Sequence, residues 1–240
     1  MNLAAAALTL LAVAPLGVHA AGEGATLYQT YCSSCHGARG QGTRDAPSLH
    51  GISAAYVHLM LDTGRMPAPA PNVSEIPSVP LFTYAQMDVL TRYVVGLSPH
   101  PADTSLPLVT GGNIVHGRTL FAENCAQCHG AAGDGASVGS LDVAPDLAAA
   151  TVFQIGEAVR AGPGVMPRFG RDVLSDRDVD DIAYYVNYIE THAGQRDGSN
   201  AGGFPLAHIG PLAEGLVAWL FGIGALVLFI RGIGTAGENY

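Results

Sequence analysis

The chain has 240 residues, of which only 13% are charged, and its 31 glycines and 15 prolines speak for short helices joined by turn-rich stretches rather than a long-helix bundle or a large sheet. The formal net charge of −9, carried against 11 arginines with no lysine and no basic cluster, argues against nucleic acid as a partner, because that binding neutralises phosphates with grouped cations. Four cysteines fall into two pairs, Cys32 with Cys35 and Cys125 with Cys128, and none is left over.

Near the start of the chain, residues 3–18 form an Ala- and Leu-rich run followed by Val18-His19-Ala20, a small-x-small pattern that suits signal peptidase cleavage before Ala21, so 1–20 reads as a targeting or anchoring segment. Its first residues carry no Lys or Arg, which leaves two readings, a cleaved signal peptide or a short N-terminal apolar anchor. Either exports the domains downstream of it.

Those domains form an internal duplication. Gly24 stands eight residues before Cys32, and Gly117 eight before Cys125. Leu27-Tyr28 and Leu120-Phe121 lie about one helical turn ahead of the cysteines. Ala46-Pro47-Ser48-Leu49 is echoed by Ala144-Pro145-Asp146-Leu147, and Gly64-Arg65-Met66-Pro67 by Gly164-Val165-Met166-Pro167. Each half should end in an amphipathic helix, with Met87, Leu90, Thr91, Val94 and Leu97 matching Val179, Ile182, Ala183, Val186 and Ile189 along one stripe. Thr83 with Gln86, and Ser175 with Asp178, are the expected caps. The organisation expected is therefore all-α: a first domain over 23–98, a linker over 99–111, a second domain over 112–193 and a linker over 194–210.

The chemistry sits in Cys32-Ser33-Ser34-Cys35-His36 and Cys125-Ala126-Gln127-Cys128-His129. Two thiols separated by two residues on an incipient helical turn can form thioethers to the vinyl groups of one haem, and the following His then aims its imidazole at the iron, so both pentads read as c-type haem attachment motifs. A thioredoxin-like pair would need no such His. A zinc site made from both pairs would leave both His unexplained, and disulfides would leave the repeated His without a purpose. Two covalently bound haem c groups are the expected cofactors, with His36 and His129 as axial ligands to iron.

The repeat also selects the sixth ligands. Met66 and Met166 are the methionines at matching Met-Pro positions ahead of the final helix, where a loop can fold over the far face of the haem, and thioether ligation raises the reduction potential. Met60 and His58 are the rivals in the first half, with packing or surface roles as their plainer reading. Pro47 and Pro145 are placed beside the imidazoles, where a nearby carbonyl can accept the Nδ1 proton; a simple turn role is the alternative.

Two further stretches have paired readings. The stretch from Met66 to Thr83 is eight residues longer than that from Met166 to Ser175 and holds several prolines, so it forms either a stiff rim for a docking partner or a tolerated insertion. Asp172, Asp176, Asp178, Asp180 and Asp181 gather at the start of the last helix of the second half, either to complement the helix dipole or to dock a basic partner.

Beyond the domains, Leu212 to Ile230 is apolar except for Glu214 and would span about 28 Å as a helix, so 211–231 reads as a transmembrane helix followed by a cytoplasmic tail over 232–240, with Arg231 at the boundary. Gly215, Ala218, Gly222 and Ala225 on one face would allow close packing on another helix, and a lone tether is the alternative.

Two haem domains followed by Gly202-Gly203-Phe204, Ile209-Gly210-Pro211 and Glu214-Gly215-Leu216 give the chain a resemblance to the dihaem cytochrome c subunit of bcc-type quinol:cytochrome c reductases of actinobacteria and related bacteria. The resemblance implies two tandem class I cytochrome c-like domains plus one C-terminal transmembrane helix. Cys32, Cys35, His36 and Met66 would serve one haem, and Cys125, Cys128, His129 and Met166 the other. It implies cytochrome b and the Rieske iron-sulfur subunit as partners, electrons leaving toward a haem-copper oxidase or a small cytochrome c, haem domains on the extracytoplasmic side of the cell membrane, and no catalytic residue of its own. The competing functions are a free-standing anchored dihaem carrier or cytochrome subunit of a periplasmic dehydrogenase or oxidase, and a dihaem peroxidase, which would want an open iron.

Overall fold

The computed structural model describes residues 16–70, 77–139, 142–192 and 211–236. The backbone divides into two units, the first ending at Leu106 and the second beginning at Pro107.

In the first unit, helix α1 (Leu16–Tyr31) runs into a short turn, α2 (Ser33–His36), and is followed by α3 (Ala54–Asp62) and α4 (Tyr84–Gly96). The expected cleavage point before Ala21 falls inside α1, and residues 1–15 of the N-terminal segment lie outside the described residues. Ser53 caps α3 by accepting from the Tyr56 amide, and Thr83 with Gln86 closes a full capping box at the start of α4. The predicted stripe on α4 is the face that is buried: Met87, Leu90, Thr91 and Val94 are all inside, and they pack with Tyr28 of α1, Val57 and Leu61 of α3, and Phe82. Burial of this stripe, and not the helix propensity of a segment holding Thr91, Val94 and Val95, is what stabilises α4.

The second unit repeats the plan. Helix α5 (Ile114–Asn124) leads into the turn α6 (Ala126–His129), then come a two-residue hairpin of β1 (Ala136–Ser137) and β2 (Val143–Ala144), helix α7 (Val152–Ala161) and helix α8 (Asp176–Thr191). Thr151 with Gln154, and Ser175 with Asp178, form capping boxes for α7 and α8; the first of these was not anticipated. Val179, Ile182, Ala183, Val186 and Ile189 are all buried, with Phe121 of α5 and Ile155 and Val159 of α7 around them.

The stretch expected as a linker is ordered against the domains themselves. Asp103 accepts at its carbonyl from the Ala54 amide, 2.9 Å away, and Leu106 packs on the first core, whereas Val109 is buried in the second. Helix α9 (Pro211–Ala236) is longer than the predicted span, and its apolar part, Gly215–Ile233, is long and apolar enough to cross a membrane, with none of it buried within the protein. A face of Leu, Val, Phe and Trp left this bare wants an apolar surrounding.

Candidate functional site

Both cysteine pentads sit at the same place in their units, on the tight turn that ends the first helix. Tyr28 O accepts from Cys32 N at 2.9 Å, and Phe121 O from Cys125 N at 2.8 Å, so each first cysteine prolongs its helix by one bond. His36 N then returns to Cys32 O, and His129 N to Cys125 O, both at 2.9 Å. A one-turn helix is the geometry that brings residues three apart onto neighbouring positions, which places both thiols of a pair on one side. No disulfide joins any of the four cysteines. Burial, followed by the neighbouring second cysteine, pushes the thiols of Cys32 and Cys125 up to about 11. They stand as neutral sulfurs facing apolar surroundings.

The imidazoles are held by carbonyls. His36 Nδ1 lies 2.8 Å from the Pro47 carbonyl oxygen, and His129 Nδ1 lies 3.1 Å from that of Pro145. A carbonyl can only accept, so Nδ1 carries the proton and Nε2 of the neutral ring keeps the lone pair that a metal needs. Pro47 and Pro145 thus have the orienting role expected of their surroundings, and the acceptor is the proline's own carbonyl.

Three glycines after each His build the loop that brings this carbonyl in, and sequence reasoning passed over them. Gly37, Gly40 and Gly42 follow His36 at the spacing at which Gly130, Gly133 and Gly135 follow His129, and all six have positive φ. Gly42 N donates to His36 O at 2.8 Å and Gly135 N to His129 O at 2.9 Å. At Gly135, with φ +77°, a Cβ would lie 2.5 Å from Ala144 O and 2.9 Å from the Pro145 carbonyl carbon. Only glycine lets the loop close there. The signal was legible as His-Gly-Ala-x-Gly-x-Gly repeated after both pentads.

Each unit also carries its expected methionine on a separate loop. Met66 and Met166 are half-buried and pack against the first and second cores respectively. Met66 follows α3 after Gly64, its amide donates to Met60 O at 2.9 Å, and the Met66–Pro67 bond is cis. Ser78 ties the loop down, its amide to Thr63 O at 3.0 Å and its hydroxyl to Gly64 O at 2.6 Å. The rival Met60 is buried in α3, 4% exposed, which gives it a packing role, and His58 lies on the same helix. Met166 follows α7 after Gly162 and Gly164, and its amide donates to Pro163 O at 3.1 Å. Part of the longer stretch after Met66, residues 71–76, lies outside the described residues.

Two thiols, an imidazole with Nε2 left for a metal, and a thioether on a separate loop make a soft donor set in each unit, and that set fits haem c. No group of three or more His, Cys, Asp and Glu capable of holding a separate metal ion occurs among the described residues.

The acidic residues at the start of α8 have partners inside the second unit. Asp176 takes Arg160 Nη2 at 2.7 Å and Arg171 Nε at 3.1 Å, and these hydrogen bonds hold its carboxyl below the usual range. Asp178 is the capping-box side chain, held low first by its bond with Ser175. Asp181, 3% exposed, accepts from Asn113 N at 2.6 Å and faces His116 Nδ1 at 2.8 Å. Burial pushes the Asp180 carboxyl up. These contacts account for most of the cluster without an outside partner.

Comparison with known proteins places these features. Residues 21–98 match the family model described as cytochrome c, and residues 112–186 that of cytochrome c oxidase, cbb3-type, subunit III. The cytochrome bc1 complex cytochrome c subunit of Mycobacterium bovis is 37% identical over 220 residues, covering 88% of this chain and 76% of its own length. That of Corynebacterium diphtheriae is 32% identical over 231 residues, covering 89% and 80%. The cbb3-type cytochrome c oxidase subunit CcoP of an Azospirillum species is 30% identical over 194 residues, covering 72% and 62%.

Proposed function

The chain belongs to the family of cytochrome bc1 complex cytochrome c subunits, and from that membership we propose that it is the dihaem electron-transfer subunit of a respiratory quinol:cytochrome c reductase. In this reading it passes electrons from a Rieske iron-sulfur protein toward a haem-copper oxidase or a small cytochrome c, beside a cytochrome b subunit.

The observation that carries the reading is the twofold occurrence of one donor arrangement: a cysteine pair and a His on a helical turn, with Nδ1 committed to a proline carbonyl at 2.8 Å and 3.1 Å. Haem c, when bound, supplies a one-electron couple at iron. Cys32 with Cys35, and Cys125 with Cys128, would hold it through thioethers. His36 and His129 would present Nε2 to the iron, and Met66 and Met166 would close the other side with sulfur. Pro47 and Pro145 keep each ring in one tautomer and one orientation, so the ligand geometry is set by the fold and changes little between charge states. A His and a Met would both be taken up in holding each group, which would leave no place for a substrate and favours a carrier over a peroxidase.

Helix α9 would anchor the chain as a single pass, with the haem domains extracytoplasmic and the C-terminus cytoplasmic. The likeness of the second domain to a cbb3 oxidase subunit favours an oxidase subunit as the second reading. Coverage decides against it: the bc1 relatives match 88% of the chain at 37% identity, the cbb3 relative 72% at 30%.

Gentle detergent purification through a tag on this chain should recover cytochrome b and a Rieske protein, with about two haem irons per chain by the pyridine haemochrome spectrum. Replacing Cys32 and Cys35 by Ala, or Cys125 and Cys128, should each leave one. Recovery with cbb3 oxidase subunits instead, or a haem content unchanged in either double variant, would overturn the assignment.

A further inference from the structure

The two halves hold their methionine loops by different means, and the second half does so with a buried cation. Arg160 lies in the last turn of α7 and is 5% exposed. Its Nη1 donates to Phe169 O at 3.0 Å and Leu174 O at 2.7 Å, and its Nη2 to Asp176 Oδ1 at 2.7 Å. Phe169 is three residues after Met166 and packs with it on the second core, while Leu174 is buried near the end of the same loop. One planar guanidinium therefore pins the Met166 loop at two points and ties both to the first turn of α8. Other ties of the loop are the backbone bonds of Phe169 N to Val159 O at 3.0 Å, Met166 N to Pro163 O at 3.1 Å and Leu174 N to Gly170 O at 3.0 Å, and the bond of Arg171 Nε to Asp176 Oδ2 at 3.1 Å. Counted from the cap of the preceding helix, Ser53 or Thr151, the first half holds Asp62 where the second holds Arg160, and Ser78 fastens the Met66 loop.

We propose that Arg160, backed by Asp176, is a positioning residue that keeps the Met166 sulfur on its iron. This rests on the reading of Met166 as an axial ligand. Without the guanidinium, the carbonyls of Phe169 and Leu174 lose their charged donor in a place where water is scarce, so the loop gains by opening toward solvent. An opened loop takes the sulfur with it, and an added ligand then competes for the vacated position in proportion to the open fraction.

The test uses the full haem-loaded chain in detergent and three variants, Met166→Ala, Arg160→Met and Asp176→Asn. The sulfur-to-iron absorption band of the oxidised protein is read together with the affinity for added imidazole and the reduction potential. Met166→Ala defines the part of the band that belongs to the second site. Arg160→Met should weaken that part, tighten imidazole binding by about tenfold and lower the potential of that haem, because thioether ligation is what raises it. Asp176→Asn should act in the same direction by less. If Met166→Ala removes its part of the band while Arg160→Met and Asp176→Asn bind imidazole as the unaltered protein does, the positioning role is overturned and the ligand reading stands. If Met166→Ala leaves the band whole, the ligand reading fails and takes the proposal with it. Should Arg160→Met not accumulate, Asp176→Asn decides the matter alone, since its side chain is 62% exposed and the fold does not depend on burying it.

Discussion

Gly117→Ala sets two effects of opposite sign against each other. Alanine is the better helix former, by about 1 kcal/mol in a helix interior, so propensity alone says that α5 gains. The structure says otherwise. A Cβ on Gly117 would overlap the Asp181 carbonyl oxygen, lie 2.5 Å from its carbon and 2.9 Å from the Tyr185 Cβ. The first two are backbone atoms of α8 and cannot turn away as a flexible side chain would. Restoring ordinary carbon–carbon contact needs α5 and α8 to part by about 1 Å, and a gap of that size forfeits about a quarter to a half of the dispersion between facing atoms. Phe121, Ile182, Tyr185 and Val186, all buried in this core, would lose it together. Overpacking at a rigid site belongs at the top of its range, about 3 kcal/mol, which leaves a net loss of about 2 kcal/mol after the propensity gain. Guanidinium unfolding of the haem-loaded protein should show the second domain's midpoint falling by roughly 0.5–1 M for a slope of about 2–4 kcal/mol/M. A midpoint that stays put or rises would mean that propensity governs, and that the close helix crossing is not a constraint on the sequence.

Tyr28→Phe should cost about 1 kcal/mol, since the hydroxyl bond to Gly37 O at 2.6 Å is lost while Gly40 N, at 3.1 Å, still donates to the same carbonyl; the denaturation midpoint of the first domain reads it. The second half already places Phe121 there, so haem content should not change. Gly135→Ala should push the Pro145 carbonyl away from His129 and strain a φ of +77°, costing about 1–3 kcal/mol and shifting the potential of the second haem while leaving the first alone, which redox titration resolves. Acidification should loosen the second domain through Asp176: its carboxyl is held below the usual range in the folded state, so its stabilisation is present above the unfolded value and is lost as pH falls through the folded one. Asp176→Asn should flatten that part of the acid limb in a comparison of thermal midpoints across pH.

Most of the fold could be read from the duplication. The stripe Met87 to Leu97 and its counterpart Val179 to Ile189 marked the buried faces of α4 and α8, because a helix that packs on one side repeats its apolar positions at 3.6 residues whatever its neighbours are. Caps at Thr83 and Ser175 were legible because a capping box is a contact between residues three apart. Gly24 and Gly117 stood out as a matched pair with no reason attached, since the reason lies on helices about 65 residues downstream, at Val89 and Asp181. The acidic cluster at the start of α8 could be placed, but its partners could not, for the same cause: those of Asp176 and Asp181 include Arg160, Asn113 and His116, and nothing in local spacing announces them.

The division between what the halves share and where they part follows the demands of the site. On the histidine side, the bonds from the third loop glycine to the His carbonyl and from the imidazole to the proline carbonyl are repeated in both halves, because one tautomer and one ring orientation suffice for any iron. The methionine loops are held differently, the first by the Ser78 hydroxyl bond to Gly64 O and the second by Arg160, and on the proposed reading either suffices to deliver a thioether. A duplicated domain can therefore alter one haem's hold on sulfur without touching its hold on imidazole. On the proposed ligand set, the two sites would in this way differ in potential and in tolerance of loop opening, with the difference written in the second loop and not in the pentads.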